Sequence, residues 1–110
     1  MKRGEVRWVD CGLPDKRRPV VILTRDSAFG YLGSVTVAPI TTTIRDTPSQ
    51  VRLEPEDGLQ TECAVNLHNL QTVSKAKVNE LIAALNEGKI DALETALLFA
   101  LGMDRRLRGG

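Results

Sequence analysis

Apolar and polar residues alternate along "EVRWVDC", Glu5 to Cys11. Val6, Trp8 and Asp10 fall on one side and Arg7, Val9 and Cys11 on the other, the period of a β-strand. "GLPD", Gly12 to Asp15, is turn chemistry. Pro19 opens the most apolar run of the chain, Val20 to Thr24, which predicts a central strand. Asp26 to Gly33 reads as a loop, with one helical turn capped by Asp26 or Ser27. Ser34 to Ile40 predicts a third strand, with Val35 and Val37 on one side. An exposed arm, "TTTIRDTPS", leads into a strand over Gln50–Leu53. Glu54 to Glu62 is a second loop, turning at Asp57-Gly58, and two short strands follow over Cys63–Leu67 and Leu70–Val73.

The last third changes period. "SKAKVNELIAAL" has helix formers from Ser74 onward, and Asn86 can cap a further helix. In that helix Ile90, Leu93, Leu97 and Leu101 form one apolar stripe, and Gly102 supplies the stop. Six short strands followed by helix predict a mainly β, α+β fold: a small, strongly curved antiparallel sheet or half-open barrel with a helix packed on it. Residues 1–103 form one expected domain, and 104–110 a basic C-terminal tail expected to be disordered.

Composition narrows the function classes. Of 110 residues, 42% are hydrophobic and 26% charged, an ordinary soluble balance. No apolar run approaches the roughly 18 residues of a spanning helix. Gly4, Glu5 and Arg7 stand where a signal peptide needs an apolar stretch, so a cytoplasmic protein away from membranes is expected. Cys11 and Cys63 stand far apart, outside any CxxC pattern, and read as buried thiols. The net charge of +1 excludes a uniformly basic nucleic-acid binder, so any phosphate-binding surface must be a local patch. The N-terminal end leans that way. Residues 1–18 hold Lys2, Arg3, Arg7, Lys16, Arg17 and Arg18 against Glu5, Asp10 and Asp15.

P-loop, GxGxxG and GxSxG patterns are absent. A single histidine, His68, cannot build a His-rich metal site, and neither metal nor cofactor is expected. Glu54, Glu56 and Asp57 read as a solvated loop beside Pro55 and Gly58. Two features remain. Arg17 and Arg18 stand at the mouth of the apolar second strand, and Thr41, Thr42 and Thr43 stand just past the third. If those strands pair, guanidinium forks meet hydroxyl donors, a combination that fits phosphate oxygens. Taken alone this is a weak signal, because arginines flanking a strand and threonines in an arm are usually solvated.

In combination, "RGEVRWVDCG", "RPVVILTRD", "VTVAPITTTI" and "CAVNLHNLQTVSKAKV" resemble the MazF/PemK toxins of bacterial toxin–antitoxin systems, over residues 3 to 102. The resemblance implies a MazF/CcdB-like fold, a small SH3-like barrel with a C-terminal helix, working as a homodimer. It implies a sequence-specific, metal-independent endoribonuclease acting on single-stranded RNA or mRNA and neutralised by a cognate antitoxin. Arg18 falls on the family's arginine, which assists proton transfer and stabilises the phosphorane. Thr41 falls on its threonine, which bonds the scissile phosphate. The ribose 2′-hydroxyl attacks, leaving a 2′,3′-cyclic phosphate.

Lys16 and Arg17 are then expected as auxiliary RNA contacts. Phe29 and Tyr31 are expected as base-stacking side chains or as loop packing. Asn66, His68 and Asn69 are expected as hydrogen-bonding contacts to RNA. The resemblance also revises the helical reading, to one turn over Ser74–Val78, a strand-like Leu81–Leu85 and a main helix over Glu87–Leu101. Two departures stand out. The first loop is short, with Asp15 its sole carboxylate, and aromatic residues are only 4% of the chain. The alternative is a CcdB-like DNA gyrase inhibitor without nuclease activity. That group acts through an aromatic C-terminal end, whereas this chain ends "DRRLRGG".

Overall fold

In the computed structural model, residues 1–11 and 16–105 are described. The apolar run of the second strand explains the architecture. Val21 belongs to one buried cluster while Val20 and Ile22 belong to another, so this strand is covered on both faces. That is why its sequence lacks the alternation of a half-exposed strand. Seven strands run as β1 (Glu5–Asp10), β2 (Arg17–Ile22), β3 (Ser34–Thr41), β4 (Gln50–Leu53), β5 (Cys63–Asn66), β6 (Gln71–Ser74) and β7 (Val78–Ala84). Among the described residues one α-helix, α1 (Glu87–Ala100), follows. All pairings are antiparallel, in the order β4-β5-β3-β2-β1-β7, with β6 on β3. The sheet curls into a half-barrel with α1 across its open side.

The larger core lies between the curled sheet and the helix. It gathers Val6, Val21, Leu53, Val65 and Leu67 from strands and loops with Leu93 and Ala96 from α1. The second cluster, Val9, Val20, Ile22, Val35 and Val37, is sealed by Phe29, Val73 and Val78. Val6 and Val9 face opposite cores, as the alternation along β1 predicts.

The helix starts where expected. The Asn86 side chain accepts a hydrogen bond from the Lys89 amide at 2.9 Å. Past its end, Gly102 takes φ +71°, a left-handed stop. The expected stripe is shifted: Leu93 and Ala96 are buried, whereas Leu101 is 55% exposed because the helix ends before it can turn inward.

The revised reading of the last third holds. Lys75–Lys77 is a single 3₁₀ turn, with the Ser74 hydroxyl accepting from the Ala76 amide, and Val78–Ala84 is strand despite its good helix formers. Pairing with β1 overrides local propensity there. Three smaller expectations are corrected. The turn at Asp26–Ala28 has Arg25 at its cap, with no side-chain hydrogen bond, because the Asp26 carboxylate instead accepts from the Arg3 amide. Cys63 is buried as expected, but Cys11 is exposed, having passed the end of β1. Asp57 is not solvated: its carboxylate is only 10% exposed, accepting from the Glu54 amide and lying 3.7 Å from the Lys89 ammonium. The Gly12–Asp15 turn and tail residues 106–110 lie outside the described residues.

Candidate active site

β2 and β3 pair through Ile22↔Val37, Val21↔Ala38 and Val20↔Pro39, and there the ladder stops. Pro19 has no N–H to extend it. One further step along each strand sets Pro19 against Ile40, and the next sets Arg18 against Thr41. β3 continues along β5 instead, through Ile40↔Val65 and Thr41↔Ala64. The sheet therefore splits between β2 and β3, and a groove of about 570 Å³ opens in the split.

Arg18, Pro19 and Trp8 form one wall of the groove and Ile40, Thr41 and Thr42 the other. Leu81 and Ile82 of β7 line it, and Leu59, Gln60, Thr61 and Cys63 close it from the β4–β5 loop and the start of β5. The groove brings together one guanidinium, three threonine hydroxyls and one amide with the apolar side chains of Trp8, Ile40, Leu59, Leu81 and Ile82. No carboxylate or imidazole lines it among the described residues.

Arg18 is exposed at the mouth of a strand whose far half, Val20 to Ile22, is buried. Among the described residues it has no ion-pair partner, whereas Arg3, Arg7, Arg17 and Arg52 are each paired with a carboxylate. Thr41 is half-buried, and its Oγ1 accepts a hydrogen bond from the Thr43 amide at 3.0 Å. That bond occupies an acceptor position and leaves the hydroxyl hydrogen to donate. The pair thus offers a fork of N–H donors and an oriented O–H across one gap, donors suited to the oxygens of a phosphodiester. Burial and the neighbouring Asp57 push the Cys63 thiol up, so it stays protonated at neutral pH and is no anion in this groove.

Arg17 points elsewhere. Its guanidinium pairs with the Glu80 carboxylate and lies over the Trp8 ring, 4.9 Å from the centroid. The loop that closes the groove is equally tied down. Gly58 takes φ +100° after the Pro55–Asp57 turn, and a Cβ there would stand 2.8 Å from that of Ala83 on β7.

Other sequence-derived candidates lie away from the split. Lys16 is exposed just before β2. Asn66 ends β5 at the opposite end from Cys63, and its Oδ1 accepts from the His68 amide. His68 and Asn69 are exposed on the turn that follows. Phe29 and Tyr31 follow the far end of β2: Phe29 packs on the second core, and Tyr31 is 75% exposed. None of these lines the groove, so the structure joins Arg18 to Thr41 but not to the rest. Sequence reasoning missed Trp8 and Gln60. Trp8 is the sole tryptophan, alternating with Val6 on a strand beside β2, which is a signal that could have raised it. Gln60 has no local signature.

Curl and split define a small β-barrel protein with a cationic, hydroxyl-bearing groove. The family model for PemK-like, MazF-like toxins of type II toxin–antitoxin systems matches residues 2–101. The chain is 42% identical over 105 residues to the probable endoribonuclease MazF5 of Mycobacterium tuberculosis, covering 94% of each. It is 38% identical over 90 residues to the endoribonuclease MazF3 of the same organism, covering 82% of this chain and 87% of that one. Among solved structures it superposes on a mycobacterial endoribonuclease in complex with its cognate antitoxin at a TM-score of 0.83, with 27% identity, covering 94% and 96% of the two chains. For the Mycobacterium tuberculosis toxin MazF-mt6 the TM-score is 0.81, with 34% identity over 91% and 98%. The chain belongs to the PemK-like, MazF-like toxin family.

Proposed function

We propose that this protein is an endoribonuclease toxin that cuts single-stranded RNA without a metal ion, in the groove between Arg18 and Thr41. The observation that carries the reading is their placement opposite each other where the β2–β3 ladder ends. The names of the relatives support the activity. In the proposed reaction the ribose 2′-oxygen bonds to phosphorus and the P–O5′ bond breaks. The 2′-hydroxyl loses its proton and the 5′-oxygen gains one, leaving a 2′,3′-cyclic phosphate and a 5′-hydroxyl. The phosphorane carries more negative charge than the bound diester. A guanidinium fixed at that point therefore favours the transition state over the substrate. Thr41 donates its hydroxyl to a non-bridging oxygen, and Arg18 assists the proton transfer. A groove wall of arginine, threonine and glutamine, rather than carboxylate and imidazole, supports metal-independent chemistry.

Lys16, Phe29, Tyr31, Asn66, His68 and Asn69, which lie outside the groove, would contact nucleotides further along the RNA. The working unit in this reading is a homodimer, and the apolar Phe99, Leu101 and Met103, exposed at the end of α1, would be covered in it. A cognate antitoxin neutralises the toxin, as the antitoxin complex of the mycobacterial endoribonuclease supports. The relatives' names and the Arg18–Thr41 pair favour this reading over gyrase inhibition. Incubating purified protein with a long single-stranded RNA in EDTA, with ends mapped by primer extension, tests it. Discrete cuts bearing cyclic phosphates are expected. Intact RNA in EDTA with cleavage restored by a divalent cation would refute the metal-independent mechanism, and intact RNA throughout would refute the nuclease.

A further inference from the structure

The groove is larger than one phosphate requires, and its remaining walls have a chemistry of their own. Trp8 is the only aromatic side chain lining it among the described residues. Its indole is held from within the chain: Arg17 lies over the ring, and Glu80 holds Arg17 there. Arg17 does not line the groove whereas Trp8 does, so the indole that Arg17 covers also reaches the cavity. Gln60 is exposed on the β4–β5 loop, and among the described residues its amide has no hydrogen-bond partner within the protein. The loop itself is not loose. The Glu54–Asp57 capping box, the Lys89–Asp57 ion pair and the close approach of Gly58 to Ala83 set its position. Leu59 and Leu81 add apolar walls between the two.

We infer that Trp8 and Gln60 form a subsite for one unpaired nucleobase beside the scissile phosphate, Trp8 stacking on the base and Gln60 reading its edge, a proposal that rests on the nuclease reading. A braced indole is a stacking platform that pays little ordering cost when a base arrives. A carboxamide presents one donor and one acceptor side by side, which matches the hydrogen-bonding edge of an unpaired base. Arg17 acts through Trp8 as a positioning residue. Stacking accepts any base, so discrimination falls to Gln60.

Trp8 is the sole tryptophan, so its fluorescence reports on its own contacts. A random-sequence 2′-O-methyl oligonucleotide, which cannot be cut, should quench that emission on binding. Trp8→Leu should weaken binding, read by the anisotropy of a labelled oligonucleotide, by about 10-fold or more, and Trp8→Phe should restore most of it. Binding without quenching, or full affinity in Trp8→Leu, would overturn the stacking role whether or not the protein cleaves RNA. For Gln60, cleavage maps of Gln60→Ala and Gln60→Glu are compared with wild type. Gln60→Ala should relax the preference at one nucleotide position next to the cut. Gln60→Glu, an acceptor-only edge, should shift that same position towards a base offering two donors, such as guanine. Unchanged preference at every position in both variants would overturn the reading role. A wild type that quenches but never cuts would defeat the nuclease assignment while keeping the stacking contact.

Discussion

Arg18 and Thr41 line one groove, each two residues beyond Val20↔Pro39, the last pair of the β2–β3 ladder. Neighbouring strands in a ladder lie roughly 4.8 Å apart, and beyond its end they diverge. Pro19 ends the ladder on one side, and the β3–β5 pairing draws Thr41 away on the other. The two side chains are therefore held across a gap by strands that are themselves buried a few residues away. The backbone positions of the two residues are thus set by the fold before any substrate binds.

Thr41→Val should lower the rate of RNA cleavage about 10-fold, the cost of one neutral hydrogen bond made in the transition state. Thr41→Ser keeps both the acceptor for the Thr43 amide and the donor, and should stay near wild type. Single-turnover rates on one short RNA check this. A loss in Ser with a near-wild-type Val would point to packing by the γ-methyl rather than to the hydroxyl.

Gly58→Ala should destabilise the fold by about 1–2 kcal/mol, because alanine is strained at φ +100° and its Cβ would meet Ala83 at 2.8 Å. Gly102→Ala, at φ +71° with open space around the new Cβ, should lose only the conformational part. Urea midpoints of the two variants make the comparison. A Gly58→Ala midpoint no lower than that of Gly102→Ala would mean the β4–β5 loop yields freely.

Stability should fall in acid partly through Glu5. Burial works to raise its pKa, but the hydrogen bond from Arg7, a backbone hydrogen bond at Lys2 and nearby positive charge hold it below the usual carboxylate range. A lowered folded pKa means the stabilisation is present above the unfolded value, about 4.3, and is lost as pH falls through the folded one. Glu5→Gln should therefore cost about 1 kcal/mol at pH ~7 and progressively less as pH falls below ~4. A difference independent of pH would assign the effect to packing.

Much of this architecture is legible in the sequence. The unbroken apolar run after Pro19 marks a strand covered on both faces, and Asn86 and Gly102 mark the ends of the helix. Arg18 and Thr41 are legible as a pair because each abuts a strand whose apolar pattern is plain, and antiparallel register does the rest. What stays hidden depends on curl. Trp8 reaches the groove because β1 wraps beside β2, and Gln60 because the β4–β5 loop folds over β7, which no local pattern encodes. Phe29 and Tyr31 are few residues from Arg18 in sequence, yet β2, about 20 Å long at 3.3 Å per residue, lies between. The β7 segment shows the other limit: its local propensity is helical, and only its pairing with β1 makes it strand.

The most direct test of the groove as the cleaving site is the single-turnover rate of Arg18→Ala on a defined single-stranded RNA in EDTA, with circular dichroism and sedimentation matched to wild type. Removing one fixed charge from beneath the phosphorane should slow cleavage by on the order of 10²-fold or more. A rate within a few-fold of wild type, in a variant equally folded and in the same oligomeric state, would contradict the assignment of Arg18 and of the split it guards.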